Sequence, residues 1–366
     1  MYAAQTVLVT FDRAGSTADV VIQAGAMGMN QPTSTLQGVP LIDEMVGNLH
    51  AGNAADIMRL MPDGCIDQII TSPPYWTAVE YDGDSTGWVS YEAYLDDMER
   101  VWKECARVLR PNGKLCINAP IMPIPKAVIE QHTRHIKNIA FDLEARILGS
   151  TDLERYSLFI WQKQTSKMMF GSYPQPGNII ENNTVEFINV YVKPGKPPKF
   201  SDDIKQGNKL SRTEWLDLAQ QVWFMYPEDV KREEGHPAPF PEKLPARLMR
   251  LYTQGAVGEF AGEIVLDPFV GTGTTCVVAE RMGRRWIGID ISERYLDYAR
   301  RRISRAAPGS PVILVGRAKY PGKEELAALA AEEAGTSGAQ AAAKHRRKTY
   351  GRGAPEMSDD GQMTLV

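Results

Sequence analysis

Paired cysteines are missing from this chain. Its four cysteines, Cys65, Cys105, Cys116 and Cys276, show no CxxC spacing, which excludes a zinc knuckle or a disulfide framework as the organising principle. The dipeptide Pro-Cys never occurs, which removes the usual thiolate for attack on a pyrimidine ring carbon. No apolar stretch approaches the ~20 residues of a membrane-spanning helix. The opening MYAAQTVLVTFDRAG lacks the basic-then-apolar order of a secretory leader, so we expect a cytoplasmic chain. Excess charge is absent too. A formal net charge of −4 means that a nucleic-acid partner would have to be met by a local patch.

What is present is a pattern of strands and helices that fades and then resumes. TVLVTF and ADVVIQA predict two strands around RAGST, and residues 24–40 read as a linker. From Met45, strand, loop, helix and strand follow. Asn53 to Asp56 caps the helix, Pro62-Asp63-Gly64 turns the chain, and Ile66 to Ile70 forms a short buried strand. A long helix comes next. Ser90 caps it, and Tyr94, Met98, Val101, Trp102, Cys105 and Leu109 fall on one stripe. Residues ~120 to 230 are less regular. There Lys193, Lys196, Lys199, Lys205, Lys209 and Arg212 outnumber Asp202 and Asp203, which by itself reads as a solvated loop. From Pro241 the order is helix, strand, glycine loop, helix, strand, helix, the start of a parallel α/β sheet. Beyond 316 an Ala- and Gly-rich, locally basic tail is expected to be disordered.

The glycine loop, VLDPFVGTGTTCVVAE, lies between a strand and a helix, where backbone can approach a ligand at the positive helix end. A phosphate-binding loop needs Gly-Lys-Ser/Thr, and the lysine is missing. A dinucleotide site needs a third small glycine, and Cys276 stands there. The remaining ligand carries an adenosine and a carboxylate but no phosphate: S-adenosylmethionine. Asp267 is then a candidate for its amino group, Gly271 and Gly273 leave room for its methionine part, and Asp290, closing the next strand, suits two ribose hydroxyls. A Gly-x-Gly alone is as often an ordinary tight turn; the acid-ended strand after it gives the reading its weight.

The second unusual stretch is ITSPPYW, where two prolines end an apolar strand. An exocyclic base amine has its lone pair delocalised into the ring. Acceptors for both of its N–H groups favour a pyramidal nitrogen aimed at a methyl donor. Ser72 offers a hydroxyl, Pro73 a carbonyl held rigid by Pro74, and Tyr75 a ring face on which a flipped base could stack.

TSPPYW, followed far downstream by HPAPFPEKLPARLMRLYT and VLDPFVGTGTTCVVAERMGRRWIGIDI, resembles the β-group amino-methyltransferases of DNA, over residues ~46 to 303. The resemblance implies a Rossmann-like α/β fold with a mainly parallel seven-stranded sheet, S-adenosyl-L-methionine as cofactor and no metal. It implies that the strands ending at Ile70 and Leu266 lie side by side. Ser72, Pro73, Pro74 and Tyr75 would be catalytic. Asp267, Phe269, Gly271, Gly273, Thr274, Thr275, Asp290 and Ile291 would hold the cofactor, Ile291 packing on adenine and His236, Pro237 and Phe240 lining the methionine end. The family commonly has Gly-Asp where this chain reads Gly52-Asn53, so Asn53 is a weaker carry-over to adenine. Members with serine first in the tetrapeptide usually modify cytosine N4 rather than adenine N6. The implied organisation is a hairpin and arm over 1–40, a catalytic half over 41–120, a DNA-contacting recognition insert over 121–235, a cofactor half over 236–316 and a flexible tail over 317–366. The implied partner is double-stranded DNA. A cognate restriction endonuclease and a homodimer remain open, as does an RNA or protein-amide substrate.

Overall fold

The computed structural model describes residues 6–11, 18–23, 42–76, 88, 90–123, 136–163, 175–177, 184–225, 240–310, 312, 356–357 and 363–364. The chain divides into two units, 1–315 and 316–366. In the second, the described residues form one short antiparallel pair, Glu356–Met357 with Met363–Thr364. The expected flexible tail otherwise lies outside the described residues.

The first unit begins with β1 (Thr6–Phe11) and β2 (Ala18–Gln23), an antiparallel pair as expected. Then come α1 (Ile42–Met45), β3 (Asn48–Ala51), α2 (Ala54–Met58) and β4 (Ile66–Thr71). α3 (Tyr91–Val108) starts on Ser90, whose Oγ accepts from Ala93 N, and the chain passes straight into β5 (Leu109–Pro120). A two-residue pair, β6 (Met122–Pro123) and β7 (Ile136–Lys137), leads to α4 (Ile139–Ser150), β8 (Glu154–Lys163) and β9 (Val185–Val192). α5 (Asp202–Gly207), α6 (Arg212–Leu218) and β10 (Val222–Met225) follow. The chain then forms α7 (Lys243–Tyr252), β11 (Ile264–Asp267), α8 (Thr274–Arg281), β12 (Arg285–Asp290) and α9 (Glu293–Ile303).

Ten strands form one sheet in the order β10-β8-β9-β5-β4-β11-β12-β3-β1-β2. The seven from β8 to β3 are the expected Rossmann-like core; β10 and the β1–β2 pair extend it at its two edges. β5, β4, β11, β12, β3 and β1 run parallel, and β9 runs antiparallel between β5 and β8. The central strands are buried on both faces, and their alternation shows it. Ile69, Leu115, Ile117, Leu266 and Ile287 pack on one side with α2, α3 and α4. Ile70, Cys116, Val265 and Trp286 pack on the other with α7, α8 and α9.

The stretch 121–235, expected as a recognition insert, is continuous with the sheet. It supplies α4, β8, β9 and β10, and β9 pairs with β5 from Lys114 to Pro120. Burying both faces of β5 and pairing its outer edge require these strands, so the sheet runs on past residue 120.

Candidate active site

β4 and β11 are neighbours in register, Leu266 beside Ile69, as the resemblance implied. From β4 the chain crosses through α3 to β5 on one side; from β11 it crosses through α8 to β12 on the other. Loops at such a reversal diverge and leave a crevice at the carboxyl ends of the strands. ITSPPYW and the glycine loop are those two loops.

Asp267 ends β11 and is buried. Its Oδ1 accepts from Thr71 Oγ1 (2.7 Å) and Phe269 N (3.1 Å), and its Oδ2 from Thr275 Oγ1 (2.6 Å). Burial raises its pKa to about 6, against the pull of those donors. These bonds make the carboxylate a clamp that joins β4, the glycine loop and α8. Thr275 faces Asp267, and Thr274 Oγ1 accepts from Arg302 Nη1 of α9 (3.0 Å). Both threonine hydroxyls thus brace the loop.

The loop bends at two glycines in left-handed backbone, Gly271 (φ 49°) and Gly273 (φ 83°). A Cβ on Gly273 would stand 2.8 Å from Ala299 Cβ, so α9 closes on the turn. Cys276, at the place of a third glycine, is wholly buried, its Sγ lying where β12 presents Gly288. Phe269 is half-buried and meets Trp102 of α3 edge-on, with centroids 6.2 Å apart.

Asp290, half-buried at the end of β12, accepts Gly271 N on Oδ2 (2.8 Å) and Ser292 N on Oδ1 (2.9 Å). Burial raises its pKa. Two backbone amides thus aim the carboxylate and leave lone pairs for further donors. Beside it, Ile291 is 66% exposed, an apolar side chain with little packed against it. Asn53 Oδ1 accepts from Ala55 N (3.0 Å) and Asp56 N (3.4 Å), so its carbonyl is the helix cap of α2. It stands at the same sheet edge, since Gly52 N donates to Asp290 O. Phe240 is buried and belongs to the core cluster that includes Leu244 and Leu248 of α7. His236 and Pro237 lie outside the described residues.

In the Pro-Pro turn, Ser72 Oγ donates to the Asn118 carbonyl (3.0 Å) and lies 2.6 Å from Tyr75 Oη. Tyr75 is 5% exposed and packs in the core, so its ring is not the open stacking face expected. Polar partners explain the burial: its hydroxyl lies 3.4 Å from both Glu186 Oε2 and Asn118 Nδ2. Trp76 follows with φ 42°, rare for a bulky residue, and its ring lies 4.9 Å from Tyr91.

Sequence reasoning missed four contributors: Thr71, Asn118, Glu186 and Lys163 as a partner of Glu186. Each is a polar residue at or near one end of a buried strand. A polar group at that place is the available signal, because burial without a partner is costly.

A mainly parallel sheet with a glycine loop after one strand and an acid closing the next defines a Rossmann-like methyltransferase. The chain belongs to the N6/N4 DNA methylase family, whose model matches residues 66–301. It is 28% identical over 276 residues to the Type II methyltransferase M.MjaI of Methanocaldococcus jannaschii, covering 64% of this chain and 84% of that one. It is 25% identical over 257 residues to the Type II beta methyltransferase M.BslI of Bacillus sp. (strain NEB-606), covering 69% of this chain but spanning only 27% of that protein's length. A DNA modification methylase of Thermus thermophilus, TTHA0409, solved with S-adenosyl-L-methionine, superposes with a TM-score of 0.56 at 29% identity, covering 73% of this chain and 99% of that one.

Proposed function

We propose that this protein transfers a methyl group from S-adenosylmethionine to the exocyclic N4 amine of a cytosine rotated out of double-stranded DNA. The observation that carries this is the Ser72 hydroxyl held between the Asn118 carbonyl (3.0 Å) and Tyr75 Oη (2.6 Å). Either partner can take its proton, which leaves the oxygen lone pairs for an incoming amine. An acceptor aimed in advance is what a conjugated amine needs and what a general base would not supply.

The residues present fit the cofactor. Gly271 and Gly273 keep the loop free of side chains, Asp290 offers oriented acceptors to a ribose diol, and the exposed Ile291 offers an apolar face to adenine. When bound, S-adenosylmethionine supplies an electrophilic methyl on sulfur. Ser72 Oγ and the Pro73 carbonyl accept hydrogen bonds from the two amine N–H groups, and the Pro-Pro backbone holds their separation. Tyr75, buried in the core, bears on the base through its hydroxyl beside Ser72. Extruding the base costs a few kcal/mol, offset by contacts in the pocket.

The exposed Lys196, Lys199, Lys209 and Arg212 are the phosphate-contacting candidates. Ser72 at the first position of the tetrapeptide favours cytosine N4; adenine N6 is the alternative for the same site. Relatives named as Type II methyltransferases support a cognate restriction endonuclease as partner. β2 at the sheet edge is the candidate surface for a homodimer.

The test is incubation with unmethylated genomic DNA and labelled S-adenosylmethionine, followed by digestion to nucleosides. N4-methylcytosine is the expected product. N6-methyladenine would replace the base and keep the transfer. No methylated nucleoside, with cofactor bound, would overturn the reading.

A further inference from the structure

Beneath the Pro-Pro turn lies a buried carboxylate that the proposed transfer has not used. Glu186, near the start of β9, is 8% exposed. Its Oε1 accepts from Lys163 Nζ at the end of β8 (2.9 Å), and its Oε2 accepts from Asn118 Nδ2 (2.6 Å). The same Oε2 stands 3.4 Å from Tyr75 Oη, which is itself 2.6 Å from Ser72 Oγ. A chain of polar atoms therefore runs from Ser72 through Tyr75 to an anion paired with Lys163.

The geometry points to Glu186 as a positioning residue that acts through the Tyr75 hydroxyl and keeps Ser72 available to the target amine, an inference that rests on the function proposed above. Ser72 Oγ has one proton and two lone pairs. Its proton can go to the Asn118 carbonyl or to Tyr75 Oη. Ser72 Oγ and Glu186 Oε2 both stand within reach of the Tyr75 proton. While it sits on Ser72 it occupies a lone pair and draws charge from the oxygen that must receive the amine. When it turns to Glu186, the Tyr75 oxygen accepts the Ser72 proton across the 2.6 Å contact, and both Ser72 lone pairs are left for the amine. A charged acceptor forms the stronger hydrogen bond, so a carboxylate at this place favours the second arrangement. The carboxylate also orients Asn118. Only its amide nitrogen can face Glu186, and its Oδ1 has no partner among the described residues. The backbone carbonyl that fixes Ser72 belongs to that same residue.

A double-mutant cycle on the full chain tests this. Single-turnover methyl transfer, cofactor affinity and DNA affinity are measured for wild type, Glu186→Gln, Tyr75→Phe and the double variant. Glu186→Gln leaves both affinities within about twofold and slows transfer roughly tenfold, the scale of one hydrogen bond. Tyr75→Phe removes the competing proton, so adding Glu186→Gln to it changes the rate by less than about twofold. Glu186→Asp, which keeps the anion on a shorter arm, recovers part of the loss. Equal slowing in both backgrounds would overturn the inference, as would cofactor affinity falling in parallel with rate. Wild type that methylates DNA while Glu186→Gln matches its rate would sink this inference and leave the proposed function standing. Wild type that binds cofactor and methylates no DNA would remove the proposed function and the inference with it.

Discussion

Thr71 Oγ1 donates to Asp267 Oδ1 at 2.7 Å, joining two residues 196 positions apart. One ends the strand that leads into the Pro-Pro turn and the other begins the glycine loop. The bond locks the proposed methyl-accepting and methyl-donating sides to each other at their roots. Thr71→Val keeps the shape and removes the donor. It leaves a buried carboxylate with one partner fewer, at a cost of about 1–3 kcal/mol in a chemical melt. Cofactor affinity should fall with it; unchanged affinity in a calorimetric titration would mean that the glycine loop is set without Thr71.

Asp267 also predicts a pH signature. Burial raises its pKa from 3.8 to about 6, so between those values the folded chain holds a proton that the unfolded chain has lost. Its contribution is therefore most favourable below pH 3.8 and declines as pH rises to about 6, by on the order of 3 kcal/mol. Asp267→Asn has no such titration. The stability of wild type minus that of the variant should shrink as pH climbs through this window and then level off. A flat difference across the window would mean that the carboxyl titrates normally.

Gly273→Ala combines a left-handed backbone (φ 83°) with a Cβ 2.8 Å from Ala299 Cβ. Backbone strain alone amounts to roughly 1–2 kcal/mol, and the contact forces α9 to shift. We expect a lower melting temperature and at least tenfold weaker cofactor binding. Wild-type values for both would contradict the close packing of α9 on the loop.

At Ile291 the expectation is the reverse, function lost with stability kept. The side chain is 66% exposed, so Ile291→Ser should move stability by no more than ~0.5 kcal/mol. Losing its apolar face should weaken cofactor affinity about five- to tenfold. A destabilised variant with normal affinity would assign Ile291 to packing.

Ser72→Ala deletes the oriented acceptor and leaves the glycine loop and Asp290 untouched. Transfer should drop about a hundredfold or more at saturating cofactor, with cofactor affinity within about twofold. A rate close to wild type would pass the acceptor role to the Pro73 carbonyl alone.

Much of this architecture is local and so was readable from one-dimensional pattern. The α3 stripe from Tyr94 to Cys105 repeats at helical spacing and is buried throughout, whereas Leu109, expected on the same stripe, caps the helix in extended backbone and opens β5. The segments from Lys243 to Ile303 alternate as helix, strand, helix, strand and helix, each with its own punctuation. Asn53 and Ser90 are caps because their side chains reach amides two or three residues ahead.

Other features depend on partners that no local pattern names. β9 belongs to the sheet because it pairs antiparallel with β5. Tyr75 is drawn inward by Glu186 and Asn118, and Thr274 and Thr275 are turned to Arg302 and Asp267. The sequence by itself determined the elements, their order and the two loops with rare chemistry, since turn geometry and side-chain periodicity act over a few residues. Only the tertiary structure decided which polar groups face the crevice and which brace it from behind. A buried hydrogen bond is chosen by proximity in space, and here that proximity spans up to 196 positions of chain.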